Sequence, residues 1–97
     1  MRCREQLTCA EAAAFTFGRT LGAALKLKLV DREKTEDLTM RATRLVTAMA
    51  AHRSDLEAAT RRFHEGVDAG VDGVESGRIT ASDVVAELAR LQLRVLV

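Results

Sequence analysis

Leu38, Ala42, Leu45, Met49, His52, Leu56, Ala59 and Phe63 recur with a 4,3,4,3 spacing that never slips. That is a heptad seam, and one held over nearly four repeats restricts the chain to helix packed along its length. Val46 and Ala50 widen the stripe, as expected for a bundle rather than a strict two-stranded coil. Neither glycine nor proline interrupts residues 23–65. Composition agrees: 16 alanines among 97 residues, no proline, tryptophan or tyrosine, and three phenylalanines. Alanine loses no side-chain entropy in a helix, whereas an all-β chain needs β-branched, aromatic and turn residues. The expected class is an all-α, three-helix domain with a long central helix, a helical bundle completed by oligomerisation. A chain of 97 residues has room for one such core.

The helices are placed by their ends. Thr8 and Glu11 fit a capping box that opens a first helix over about residues 9–29. Within it Ala10, Ala14, Gly18 and Gly22 form a row four apart without a large side chain, which suits a tight internal crossing. Residues 24–30 alternate with period two, a strand signal when taken alone, but no other segment alternates to pair with them. They are read as the end of the first helix.

The second helix is expected to start between Asp31 and Thr35 and to span about 33–76. From residue 66 it should be weak, because Gly66, Gly70, Gly73 and Gly77 cost about 1 kcal/mol each against alanine in a helix interior. That stretch is expected to fray or hinge, with Gly77 at the left-handed position that ends the helix. Thr80 and Asp83 form another capping box, and Ile79 with Val84 a hydrophobic staple, for a third helix over about 81–96.

Charge excludes several functions. Fifteen basic and fourteen acidic residues leave a net charge of +1, not the strongly basic balance of a dedicated nucleic-acid binder. Residues 1–34 carry +3 and residues 65–97 carry −3, which could pair head to tail. Twelve of the basic residues are arginine, which together with the alanine suggests a GC-rich, bacterial coding sequence. Cys3 and Cys9 are read as two free thiols in a reducing cytosol, since neither His52 nor His64 completes a zinc spacing with them. No secretory leader and no run of 18 apolar residues is found, so a cytoplasmic protein without a membrane span is expected.

Chemistry-bearing patterns are thin. His64 invites comparison with histidine phosphotransfer domains, but those place a lysine and a glycine after the histidine, whereas Glu65 and Asp68 here would repel a phosphoryl group. His52 lies on the seam and is read as a polar residue that sets register. Residues 72–83 thread on a calcium loop only with Val74 at the third ligand position and Asp83 in place of a bidentate glutamate. The segment from Ile79 to Leu88 is faintly similar to the first helix of a helix-turn-helix, with no room after it for a recognition helix. No nucleophile with a base, no paired acids in an apolar setting and no phosphate loop occur, so no catalytic residue, cofactor or metal is expected.

What remains is a non-enzymatic protein–protein interaction module: an adaptor, chaperone-like subunit or small inhibitor that occupies a partner's surface, expected to form a homodimer because the seam exceeds what the flanking helices cover. The expected anchors are Leu45, Met49, His52, Leu56 and Phe63 on the seam, with Leu91, Val95 and Leu96 at the C-terminus. The competing reading is a nucleic-acid-associated dimeric regulator whose basic patches are assembled from two chains.

Overall fold

A computed structural model of the chain describes residues 9–90. Four helices follow one another: α1 (Cys9–Lys26), α2 (Arg32–Met49), α3 (Arg53–Glu75) and α4 (Ala81–Arg90). The all-α class stands, and no strand occurs among the described residues. The alternating stretch after Ala24 finishes α1 and then turns.

The turn is closed by backbone alone. Lys28 N–H donates to the Leu25 carbonyl (3.1 Å) and Leu29 N–H to the Ala24 carbonyl (2.9 Å), the paired bonds of a Schellman motif. This motif needs a left-handed residue after the helix, and Lys28 supplies it at φ 59°. A side chain there is strained, whereas glycine is not. Lys28→Gly is therefore expected to raise stability by about 1 kcal/mol, read as a higher midpoint in urea unfolding. An unchanged or lower midpoint would mean that the turn is not held in this form.

The expected central helix is two helices. Its seam breaks at residues 50–52 without glycine or proline: Ala50 is extended at ψ 133° and His52 at ψ 162°. Asp55 provides the reason, since its Oδ2 accepts from Ala51 N–H (3.0 Å) and His52 N–H (3.1 Å) and so caps a new start. Packing supplies the rest. One straight helix over 33–76 would be about 66 Å long, yet the longest dimension of the structure is 40 Å. Reversal at 50–52 lets both halves bury their apolar sides on α1.

Other ends match their sequence signals. Asp31 accepts from Lys34 N–H (2.9 Å) at the start of α2. Gly77 is left-handed at φ 81° and ends the turn after α3. At the start of α4, Thr80 N–H donates to Asp83 Oδ2 (3.1 Å) and Asp83 N–H to Thr80 Oγ1 (3.2 Å). These bonds hold the Asp83 carboxyl below its ordinary range, because they favour its charged form. The box expected at Thr8 and the extension of the last helix beyond Arg90 lie outside the described residues. Cys9 is disulfide-bonded, so the expectation of free thiols is replaced.

Helices α1 and α3 make the most extensive interface, and their glycines explain it. A methyl group at Gly18 would collide with the Phe63 carbonyl oxygen, and one at Gly22 with that of Val67. In return, a methyl at Gly66 would strike the Phe15 carbonyl and one at Gly70 the Arg19 carbonyl. Four missing side chains thus point at four carbonyl oxygens of the facing helix, the geometry of Cα–H···O contacts worth about 0.5–1 kcal/mol each. The two helices run parallel, since Gly18 faces Phe63 while Gly22 faces Val67. Ion pairs join them at both ends, Arg62 to Glu11 (3.2 Å) and Lys26 to Glu75 (3.0 Å). The row from Ala10 to Gly22 is the tight crossing its spacing suggests. Gly66 and Gly70, expected as part of a frayed or hinged tail, are its other half and are buried, while Gly73 is buried against Ile79.

Two apolar clusters sit along this pair. At one end Leu21, Ala24, Val30, Leu38, Val84 and Leu88 join α1, α2 and α4. At the other, Ala10, Ala14, Val46 and Ala59 join α1, α2 and α3, and Phe63 packs against both clusters.

Candidate docking groove

Helix α2 runs back along α1: its end, at Val46, lies with Ala10 and Ala14, and its start, at Leu38, with Leu21 and Ala24. It is therefore antiparallel to both α1 and α3. Because α1 is shared, α2 and α3 touch each other least of the packed pairs. Between them lies a groove of about 430 Å³.

Its floor is Ala14, Ala42 and Ala59, all buried. One wall is Thr39, Thr43, Val46 and Thr47 of α2; the other is Leu56, Thr60, Phe63 and His64 of α3. Among the described residues, no aspartate, glutamate, lysine or arginine lines it. Three of the four threonine hydroxyls add little polarity, because they are used within their own helices. Thr39 donates to the Thr35 carbonyl (2.8 Å), Thr43 to Thr39 (2.9 Å) and Thr60 to Leu56 (2.9 Å). His64 packs edge-on to the Phe63 ring, with centroids 6.0 Å apart. The result is an open, largely apolar channel with a floor of methyl groups, the shape that accepts a helix laid between two others.

Two further hollows lie beside α4. One is formed with Thr16, Phe17, Thr20, Glu87 and Arg90, the other with Arg19, Arg78, Asp83 and Glu87 among its lining. Both mix opposite charges and offer no concentrated field of one sign. Among the described residues no group of three or more histidine, cysteine, aspartate or glutamate side chains is placed to hold a metal ion.

The residues singled out from the sequence are distributed as follows. Leu56 and Phe63 line the groove. Leu45 and Met49 do not: they are exposed at 42% and 40%, on a side of α2 that the groove does not use. Their burial belongs instead to Leu38, Ala42 and Val46, a 4,4 spacing rather than 4,3. His52 is not a seam residue but the N-cap position of α3. Leu91, Val95 and Leu96 lie outside the described residues. Sequence reasoning missed the threonines, although a signal exists: Ala42-Thr43-Arg44 and Ala59-Thr60-Arg61 repeat, each followed by an apolar residue at Val46 or Phe63.

No family model, no curated protein and no solved structure matches this chain.

Proposed function

We propose that this protein is a non-enzymatic interaction module that binds an apolar helix in the groove between α2 and α3. The observation that carries this reading is the lining: a channel bounded by methyl groups and threonines, free of acidic and strongly basic side chains, and open along about two helical turns of each wall. An occupant must bring an uncharged face, since an unpaired charge in such a channel would be desolvated without a partner. Adaptor, chaperone-like subunit and small inhibitor are all roles of this kind. No helix among the described residues is long and apolar enough to cross a membrane.

The competing nucleic-acid reading loses ground on charge. Arg62 is paired with Glu65 (2.8 Å) and Glu11, Arg41 with Asp37 (3.1 Å), and Arg90 with Glu87. Hydrogen bonds to Glu65 and then Glu11 raise the pKa of Arg62 further. These groups are spent within the chain rather than arrayed as a basic face.

The test is an NMR titration of isotope-labelled protein with a synthetic amphipathic peptide of leucine and alanine on one helical face. Amide shifts are expected to concentrate at 39–47 and 56–64. Shifts that gather instead at the exposed apolar positions Leu25 and Val85, or none at millimolar peptide, would contradict the docking reading.

A further inference from the structure

We infer that the hollow where α1 meets the turn into α4 binds a free aliphatic α-amino acid: Arg19 and Arg78 take its carboxylate, Asp83 and Glu87 its ammonium group, and Thr20 completes the polar contacts. The hollow, of about 250 Å³, shares no lining residue with the α2–α3 groove, so this site stands or falls apart from the docking reading.

A buried hydroxyl points to a ligand. Thr20 is the one polar residue buried among the described residues, at 6% exposure. The hydroxyls of Thr16, Thr35, Thr39, Thr43 and Thr60 each donate to the carbonyl four residues back, the local bond by which a helical threonine satisfies itself. The Thr20 hydroxyl makes no such bond and has no other partner among the described residues. Polar groups at this depth are normally hydrogen-bonded. No fully enclosed side-chain polar atom among the described residues lacks a partner, so the Thr20 oxygen is reached from the hollows that it borders.

Opposite charges line the hollow without meeting. The Arg19 and Arg78 side chains form no hydrogen bond or ion pair among the described residues. Asp83 uses Oδ2 on the Thr80 N–H and Glu87 uses Oε2 on Arg90, which leaves Oδ1 and Oε1 without a bond. A zwitterion bridges what the fold holds apart. Guanidinium groups bind a carboxylate through parallel N–H bonds, and the two open carboxylate oxygens accept from an ammonium group. A simple anion would face the two acids, and a simple cation the two arginines.

Size and floor set the rest of the ligand. Ala23 and Val84 are buried beneath the charged rim. Ile79 beside them is fixed by its N–H bond to the Gly73 carbonyl (2.9 Å). Sites for drug-sized ligands occupy about 300–1,000 Å³, so this smaller hollow suits one amino acid with a short aliphatic side chain rather than a nucleotide or a peptide.

NMR titration of the isotope-labelled full chain with L-leucine, L-isoleucine and L-valine tests the site. At least one is expected to give saturable amide shifts at residues 19–23 and 78–87. Isocaproate, which is leucine without its ammonium group, and isoamylamine, which is leucine without its carboxylate, are each expected to bind about tenfold more weakly, having lost one charged contact. Thr20→Val removes the hydroxyl but no bond within the protein. Its affinity is expected to fall about tenfold while the melting midpoint holds or rises. Arg78→Gln, at an exposed turn position, is expected to weaken binding as much with the midpoint unchanged. Saturation by none of the three amino acids would overturn the proposal. So would equal binding of either leucine analogue, or amino-acid binding that either variant leaves at wild-type strength.

Discussion

Gly22→Ala and Gly70→Ala are each expected to lower the thermal midpoint by 10 °C or more, although alanine is the better helix former. Intrinsic propensity alone favours both changes by about 1 kcal/mol. Against this, the added methyl at Gly22 meets the Val67 carbonyl and lies 2.9 Å from Val67 Cα, while that at Gly70 meets the Arg19 carbonyl and lies 2.7 Å from Ala23 N. All of these are backbone atoms, so relief requires α1 and α3 to separate along their length. Overpacking of this kind costs about 1–3 kcal/mol or more, beyond the propensity gain, and about 4–8 °C follows each kcal/mol in a domain of this size. Gly73→Ala is the internal control. Its methyl meets the Ile79 side chain, 2.7 Å from Cγ1, rather than any backbone atom of a facing helix. Its midpoint is expected to stay within about 4 °C of wild type, under 1 kcal/mol. Equal losses at all three sites would show that glycine matters here for some reason other than backbone approach.

Leu38→Ala is the second large effect. Leu38 is fully buried in the cluster that also holds Leu21, Val84 and Leu88. Truncation removes its transfer energy and leaves a cavity, at about 2–5 kcal/mol. Domains of this size hold only about 5–15 kcal/mol in total. Leu45→Ala, on the same helix and the same sequence seam, is expected to change stability by no more than about 0.5 kcal/mol, since Leu45 is exposed. Urea unfolding of the pair separates the two packings. Similar losses would restore the continuous heptad seam; a large loss at Leu38 alone supports the folded-back arrangement.

That contrast also shows where the sequence was readable. Helical class, the caps at Asp31 and Thr80, the stop at Gly77 and the small-residue row on α1 all follow from local chemistry, and local chemistry is visible in one dimension. The break at 50–52 was hidden because the 4,3 spacing happens to continue in phase across it. Its cause, Asp55 capping Ala51 and His52, competes with an alanine-rich background that favours helix throughout. Gly66 and Gly70 were misjudged for a different reason. Their cost is local and countable, whereas the compensation comes from Phe15 and Arg19, some fifty residues earlier in the chain. The groove was half legible: Leu56 and Phe63 stand out by hydropathy, but Thr43 and Thr60 look polar until their hydroxyls are seen bonded to the preceding turn.

The account turns on the α1–α3 crossing, since two helices brought together through glycine leave α2 seated on α1 alone and the groove open beside it. Interproton contacts measured by NMR test it directly. Strong cross-peaks are expected from the Gly22 α-protons to those of Val67, and from the Gly70 α-protons to the Ala23 amide. Their absence, together with unbroken i to i+3 helical contacts from Met49 through Asp55, would contradict the crossing and return the chain to one long central helix.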